Sequence, residues 1–175
     1  MTFDKIFTDN KSLPGVVQVN HSSFSDLRGT LWTSYDDDLA SKMKHLTDFS
    51  FSHDKFALNK KNVLRGIHGD EKSWKLVTVV SGRVFQVVVD CRESSEHFLN
   101  FTSLYLDSSQ PMSVLIPPGF GNAFMSITDD SVYHYKLAYP GDYNDADNQF
   151  TYKWNDPRIG INWPSTSPIL SERDT

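Results

Sequence analysis

The stretch WKLVTVVSGRVFQVVVD, residues 74–90, contains two runs of β-branched residues that meet at Ser81-Gly82. The second run alternates with the two-residue period of a strand, which places Gln86 on one face and Phe85 on the other. A Ser-Gly pair between two such runs is typical of a tight turn. The stretch therefore predicts a β-hairpin, and with it a β-rich fold.

Further short segments of the same character extend along the chain, separated by turn clusters such as Asp107-Ser108-Ser109. The remaining predicted strands are GVVQVN (15–20), TLWTSY (30–35), LNFTSLYL (99–106), MSVLIP (112–117), NAFMSI (122–127) and SVYHYKLAY (131–139). One helix is predicted at DDDLASKM, with Asp36 as its N-cap. Short strands at near-regular spacing predict an all-β jelly-roll sandwich or barrel. The apolar, proline-punctuated C-terminal stretch is predicted to lie against it.

Length and charge narrow the class of protein. A chain of 175 residues predicts one domain, residues 1–175. A net charge of −5 argues against nucleic-acid and anionic-membrane partners. The single cysteine, Cys91, excludes an intramolecular disulfide and a thiolate metal cage. The opening MTFDKIFTDNK lacks the apolar core of a signal peptide, and no apolar run reaches membrane-spanning length, so we expect a cytoplasmic location.

His68 is the clearest candidate for a residue with a chemical role. It lies between Arg65 and Lys75 at the start of an apolar run. Two cations in apolar surroundings cost free energy unless an anion binds between them. A cupin metal site would place a second histidine two residues later and another in the PPGFGNAF segment. Asp70 and Asn122 stand there instead, so no metal centre is predicted. His68 is therefore either a satisfied strand histidine or a general base.

Tyr135 is a second residue with two interpretations. In VYHYKLAY, strand alternation places Tyr133 and Tyr135 on one face and His134 and Lys136 on the other. An inward tyrosine of a β-barrel is usually a core residue with a satisfied hydroxyl, but it can also donate a proton.

Seven ordered blocks cover most of the chain and resemble the dTDP-4-dehydrorhamnose 3,5-epimerase family, which are metal-free cupins. The blocks are FSDLRGTLW (24–32), KNVLRGIH (61–68), KLV with VFQVVVDCRESS (75–95), IPPGF (116–120), YK (135–136), WNDPRIGINWP (154–164) and PILSERD (168–174). The resemblance implies a cupin-type jelly roll with short peripheral helices, an isomerase without a cofactor, and a homodimer whose N-terminal strand pairs with the other subunit.

The resemblance also implies roles for four residues in proton transfer next to a C4 ketone. His68 would remove the proton as general base, and Asp174 would orient its imidazole. Lys75 would stabilise the oxyanion that forms on C4. Tyr135 would return a proton from the opposite face and so invert the carbon.

Five further residues are expected at the substrate. Arg28 and Arg65 match the arginines that hold the pyrophosphate. Asn122 stands where the rhamnose enzymes carry a second active-site histidine. His53 and Lys55 stand in HDKFA where those enzymes carry a thymidine-binding Gln-x-Asn-His-Ser string, so we expect the chemistry to be kept and the substrate to differ.

A narrower resemblance is to the GDP-linked 4-keto-heptose epimerases of bacterial capsule biosynthesis, which act at C3 or at C3 and C5. It rests on HDKF (53–56), RGIHGDEKSWKLVT (65–78), QVVVDCR (86–92), YKLAYPGDY (135–143) and DNQFTYKWND (147–156). The alternatives are a dTDP-4-keto-6-deoxyglucose 3,5-epimerase of rhamnose biosynthesis, a 3,4-ketoisomerase and a sugar-binding cupin without turnover. The sequence does not decide which carbon is inverted.

Overall fold

Two antiparallel sheets face each other in the structure, a computed structural model that describes residues 2–8 and 11–175, with side chains from Leu13 onward. The strands are β1 (Thr2–Thr8), β2 (Lys11–Asn20), β3 (Ser23–Asp26), β4 (Gly29–Trp32), β5 (His53–Asn59), β6 (Leu64–Gly69), β7 (Trp74–Ser81), β8 (Arg83–Asp90), β9 (Phe101–Asp107), β10 (Met112–Ile116), β11 (Phe120–Ser126), β12 (Ser131–Ala138) and β13 (Phe150–Thr151). One sheet has the order β1-β2-β10-β7-β12-β5 and the other β13-β6-β11-β8-β9, while β3 and β4 form a separate hairpin.

The core between the sheets consists of β-branched and aromatic side chains. Val77 and Tyr133 from the larger sheet and Val88 and Phe124 from the smaller one are inaccessible to solvent and belong to one apolar cluster. Burial of such surface contributes about 25 cal/mol per Å², which makes this layer a main source of stability. The predicted all-β sandwich is confirmed.

The hairpin predicted at Ser81-Gly82 is wrong. β7 pairs with β10 and β12, whereas β8 pairs with β11 and β9, so the chain crosses from one sheet to the other at Gly82. Gly82 has a φ of +76°, and a Cβ there would lie 2.4 Å from Thr128 Oγ1. Glycine is therefore needed for the crossing and not for a two-residue turn.

The predicted helix is confirmed as α1, Asp37–Thr47. Asp36 is its N-cap, and its side chain accepts a hydrogen bond from the Leu39 backbone N–H at 2.9 Å. Leu39 and Met43 are fully buried against the outer face of the larger sheet. Among the described residues, no helix is long and apolar enough to span a membrane.

The C-terminal stretch packs on the outer face of the smaller sheet, as predicted. Ile159 is buried there, and Trp154 and Trp163 pack against the same apolar cluster. Ile169 then exchanges backbone hydrogen bonds with Asn62 and Leu64 beside the start of β6. This attachment brings the 3₁₀ turn Glu172–Asp174 next to β6, the strand that carries His68.

Candidate active site

A cavity of about 340 Å³ is lined by both sheets and by the C-terminal segment. Most of the residues predicted to act on substrate line it. They are Lys55, Arg65, His68, Lys75, Asn122, Tyr135 and Asp174.

His68 and Asp174 form a hydrogen-bonded pair although 106 positions separate them. His68 Nε2 lies 2.6 Å from Asp174 Oδ1, and Ser171 Oγ donates to the other carboxylate oxygen at 2.8 Å. Burial raises the pKa of the Asp174 carboxyl, but the bonds from His68 and Ser171 outweigh it and leave the pKa below its usual value. With Nε2–H donating to this carboxylate, Nδ1 keeps its lone pair and can accept a proton.

Lys75 places a buried cation beside this pair. Its Nζ donates to the backbone carbonyl oxygen of His68 at 3.2 Å, and the side chain lines the cavity. Burial lowers the pKa of the Lys75 ammonium to about 8, partly opposed by the carboxylate of Asp70. The ammonium is therefore charged at neutral pH and stands where a developing negative charge would be stabilised.

Tyr135 lines the cavity from β12, on the sheet opposite His68. Its ring packs edge-on against Tyr133, with 4.7 Å between centroids. Burial raises the pKa of the Tyr135 phenol, and the positive charge of Arg65 only partly opposes this. The hydroxyl is therefore protonated at neutral pH and can donate. His134 and Lys136 lie on the other face of β12 and both contact Asp54, as the alternation predicts.

Asn122 and Asp70 occupy the positions where a metal-binding cupin would have histidines. Asn122 lies directly across from His68 on neighbouring strands. Asp70 Oδ1 accepts the backbone N–H groups of Lys72 at 3.0 Å and Ser73 at 2.7 Å, so this carboxylate shapes the turn into β7. Among the residues that the structure describes, no group of three or more His, Cys, Asp or Glu side chains could hold a metal ion.

At another part of the cavity wall the Lys55 ammonium lies over the Tyr143 ring, 4.2 Å from its centroid. Lys55 Nζ donates to the Tyr143 hydroxyl at 2.9 Å and lies 3.8 Å from Asp145 Oδ1. His53 does not line the cavity but packs against the Tyr143 ring, with 4.7 Å between centroids. Its Nδ1 forms a 2.9 Å hydrogen bond with the Tyr139 hydroxyl.

The two predicted pyrophosphate arginines lie in different places. Arg65 lines the cavity and is held by a 2.9 Å hydrogen bond from its Nε to Asn59 Oδ1. Arg28 lies at the tip of the β3–β4 hairpin, with 87% of its side chain exposed and an ion pair to Asp26. It does not line the cavity of its own chain, so its role in substrate binding stays a prediction.

Comparison with known proteins fits this arrangement. A family model described as dTDP-4-dehydrorhamnose 3,5-epimerase matches residues 10–175. The chain belongs to this epimerase family. The dTDP-4-dehydrorhamnose 3,5-epimerase of Salmonella typhimurium is 32% identical over 167 residues, which cover 93% of this chain and 89% of that protein. The protein of the same name from Neisseria gonorrhoeae is 34% identical over 93% of this chain, which spans about half (49%) of that relative's length.

A solved structure gives the same result. The dTDP-6-deoxy-D-glucose-3,5-epimerase of Legionella pneumophila, in complex with dTDP-4-keto-L-rhamnose, superimposes with a TM-score of 0.85 at 27% identity, over 99% of this chain and 90% of that one. The expected epimerase family, its isomerase class and its nucleotide-sugar substrates are thus confirmed at the level of the family. These matches are dTDP-sugar enzymes, and they do not show the closer resemblance to GDP-heptose epimerases.

The sequence did not point to Arg173 as a residue of the cavity wall. Arg173 lines the cavity, with its Nε donating to Thr151 Oγ1 at 3.1 Å and its guanidinium 3.4 Å from Gln149 Oε1. Its position next to Asp174 in the PILSERD block could have indicated this, because a segment that brings the Asp174 carboxylate to the cavity also brings the adjacent residues there.

Proposed function

We propose that this chain inverts C3, C5 or both carbons of a nucleotide-linked 4-keto sugar. The observation that carries the proposal is that His68 of the smaller sheet, paired with Asp174 of the C-terminal segment, and the protonated Tyr135 of the larger sheet line one cavity. A base and an acid that approach a sugar ring from opposite sheets suit removal of a proton from one face and its return to the other.

The steps follow from the groups in place. The C4 carbonyl acidifies the C–H bonds on C3 and C5, and His68 Nδ1 takes one of these protons to give an imidazolium that Asp174 stabilises. The electron pair of the broken C–H bond forms the enolate, whose C4 oxygen carries the negative charge beside the Lys75 ammonium. The electron pair of the enolate then forms a new C–H bond with the hydroxyl proton of Tyr135 on the opposite face of the same carbon. This restores the C4 ketone and leaves Tyr135 as a phenolate and His68 as an imidazolium. No electrons are exchanged with any other group.

For the substrate we propose first a dTDP-4-keto-6-deoxyglucose, because the similar proteins are named for dTDP sugars. The pyrophosphate would lie against Arg65 and, in addition, Arg173. The rhamnose-type reaction, with inversion at both carbons, is the form that these relatives favour.

A GDP-4-keto-heptose is the second candidate, and the cavity wall supports it. Lys55 and Asp145 present a donor and an acceptor 3.8 Å apart. Guanine offers O6 to a donor and two adjacent N–H groups to a carboxylate, whereas thymine offers a single N–H. The pair therefore complements guanine more fully, and the adjacent Tyr143 ring could stack on either base.

Proton NMR in D₂O tests the reaction and the substrate together. Samples of the protein receive dTDP-4-keto-6-deoxyglucose or a GDP-4-keto-heptose, and deuterium incorporation at C3 and C5 is followed. Exchange with the dTDP sugar supports the first candidate, exchange with only the GDP sugar the second, and the labelled carbon gives the regiochemistry. Absence of exchange with both would contradict the epimerase proposal.

We propose further that the protein is a homodimer in which Arg28 serves the site of the other subunit. The β3–β4 hairpin supports this, since Phe24, Leu27 and Leu31 are all at least 62% exposed around Arg28. Mixing Arg28→Ala with His68→Asn protein tests it. Hybrid dimers would contain one site with neither defect, so activity should exceed that of either variant alone, and no gain would contradict the shared site.

A further inference from the structure

Three polar side chains form a hydrogen-bonded chain through the core behind the cavity wall. The Tyr133 hydroxyl donates to Gln86 Oε1 at 2.6 Å, and Gln86 Nε2 donates to Asn122 Oδ1 at 2.6 Å. Tyr133 and Gln86 have no solvent exposure, and neither lines the cavity, whereas Asn122 does. Polar groups are costly in an apolar core unless they are fully paired, and fully paired groups hold one fixed arrangement.

The donors and acceptors allow only one orientation of the Asn122 amide. Gln86 Nε2 also donates to the backbone carbonyl of Val87 at 2.9 Å, and a carbonyl can only accept. Both amide hydrogens of Gln86 are thereby committed, so the atom of Asn122 that faces Nε2 must be its oxygen. The remaining acceptor of Gln86 is filled by the Tyr133 hydroxyl, which also lies 3.3 Å from Asn122 Oδ1.

The direction of the Asn122 amide oxygen also determines the direction of its amide nitrogen. Nδ2 lies on the other arm of the amide and donates to none of the residues whose side chains the structure describes, although Asn122 lines the cavity. His68 is the direct strand partner of Asn122, and the Cβ atoms of such partners are about 5 Å apart. An N–H donor therefore stands beside the general base.

We propose that Gln86 and Tyr133 are positioning residues, which turn the Asn122 N–H into the cavity to donate to the C4 oxygen of the substrate. The inference rests on the proposed epimerase function, because the C4 oxygen accepts most strongly when it becomes an enolate. C3 and C5 are both bonded to C4, so a base that reaches either carbon brings the C4 oxygen near its strand neighbour. Lys75 supplies charge to this oxygen, and Asn122 supplies a neutral donor of fixed direction.

Gln86→Glu is the sharpest test, since it changes the donor without changing the shape. In its ionised form the glutamate side chain accepts where Gln86 donates, so the Asn122 amide must rotate to donate to it and turn its oxygen toward the cavity. We expect kcat to fall roughly 10²-fold, as for loss of one oxyanion donor. KM should stay within about threefold, because the bond strengthens only as the enolate forms.

A double-variant comparison separates positioning from general damage to the core. If Gln86 acts through Asn122, Gln86→Glu should cause no further loss of kcat in an Asn122→Ala protein. Val84→Ala is the matched control, because Val84 is fully buried two residues away on β8 and lies outside the hydrogen-bonded chain. It should lower the Tm and leave kcat unchanged.

Several results would overturn the inference. They are wild-type kcat in Gln86→Glu, a loss confined to KM, or a loss that multiplies with that of Asn122→Ala. Should Gln86→Glu fail to fold, Tyr133→Phe keeps the ring that stacks on Phe124 and removes only the hydroxyl. Its kcat should fall less, and not at all beyond the loss of Asn122→Ala in that background. Absence of exchange by the wild-type protein overturns the epimerase proposal itself, whereas wild-type exchange with an unaffected Gln86→Glu overturns this inference alone.

Discussion

Two histidine–aspartate pairs of the same length lie in different surroundings. His68 Nε2 is 2.6 Å from Asp174 Oδ1, and His134 Nε2 is 2.6 Å from Asp54 Oδ1. The first lines the cavity and the second lies on the outer face of the larger sheet. Distance alone would assign both the same chemistry.

The neighbours of each pair make the difference. The Asp54 carboxylate also pairs with Lys136 Nζ at 2.9 Å, and Phe56 stacks on the His134 ring at 4.5 Å with an interplanar angle of 16°. A cation thus shares the carboxylate and an aromatic ring covers the imidazole. Among the residues whose side chains the structure describes, Asp174 is shared only with the neutral hydroxyl of Ser171, and its histidine faces a cavity that also holds an ammonium and a phenol. The pair that we propose to be catalytic therefore differs from the other in the groups around it and not in its own geometry.

The largest effect is expected at the base itself. His68→Asn removes the proton acceptor and should lower deuterium exchange at the substrate carbons by about 10²–10⁴-fold. Isotope exchange followed by NMR measures it. His134→Asn is the matched control and should exchange at the wild-type rate. Equal losses in the two variants would contradict the distinction between the pairs.

Tyr135→Phe should separate proton removal from inversion. The variant keeps His68, so exchange should continue, but formation of the epimer should fall by about 10²–10⁴-fold because the opposed acid is missing. Chromatography of the product sugars, run beside the exchange assay, measures both quantities. Full epimer formation in this variant would remove Tyr135 from the mechanism.

Asp174→Asn is expected to have a smaller effect, since the base remains. Loss of a charged hydrogen bond costs about 1.5–3 kcal/mol, which corresponds to a roughly 10–100-fold lower kcat. Steady-state kinetics measure it, and Asp54→Asn should leave kcat unchanged. A larger kinetic effect at Asp54 than at Asp174 would reverse the assignment.

The pH dependence of kcat/KM should reflect the protonation state of Lys75. Its pKa of about 8 means that the ammonium loses its proton as the pH rises through that value, so kcat/KM should fall on the alkaline side with an apparent pKa near 8. Lys75→Arg keeps the charge at high pH and should shift this fall upward. Lys136→Met, on the outer face, should not move it. An alkaline limb that is the same in Lys75→Arg would exclude Lys75 as its cause.

Burial of the Lys75 ammonium also lowers the free energy of unfolding. Its pKa is lowered from 10.5 to about 8 in the folded state, so unfolding binds a proton between these values and the free energy of unfolding rises with pH across that window. Below pH 8 the cost is present in full, on the order of 3 kcal/mol. Lys75→Met should therefore raise the unfolding free energy at pH 7 while lowering activity. Denaturant titration measures this, and Lys136→Met should show no such gain because it breaks an ion pair.

Local patterns predicted the elements well and their partners poorly. The alternation in β12 placed Tyr135 and His134 on opposite faces of the strand, and Asp36 marked the start of α1. The Ser81-Gly82 turn was misassigned, because a short turn looks the same whether the next strand pairs with the previous one or enters the other sheet. Strand assignment was also incomplete, since β1, β3, β5, β6 and β13 were not predicted.

The site shows the same division. His68 and Lys75 were suggested by their own surroundings in the sequence, since a charged group beside an apolar run requires a reason. Asp174 was reached only through the family resemblance, because 106 positions separate it from His68. The direction of the Asn122 amide depends on Gln86 and Val87, and no spacing in the sequence shows which amide atom faces which.

The crossing at Gly82 has a consequence for how the protein acquires activity as it folds. Because β7 and β8 do not pair, β7 finds both of its partners, β10 and β12, among strands distant in sequence. β8 pairs with the next strand, β9, but also with the distant β11. Topologies of this kind fold in roughly milliseconds to seconds. The cavity draws on both sheets and on the segment that follows them, so a partly folded chain has a base without its carboxylate or its acid. During refolding, catalysis should return together with the last tertiary signal and never before it.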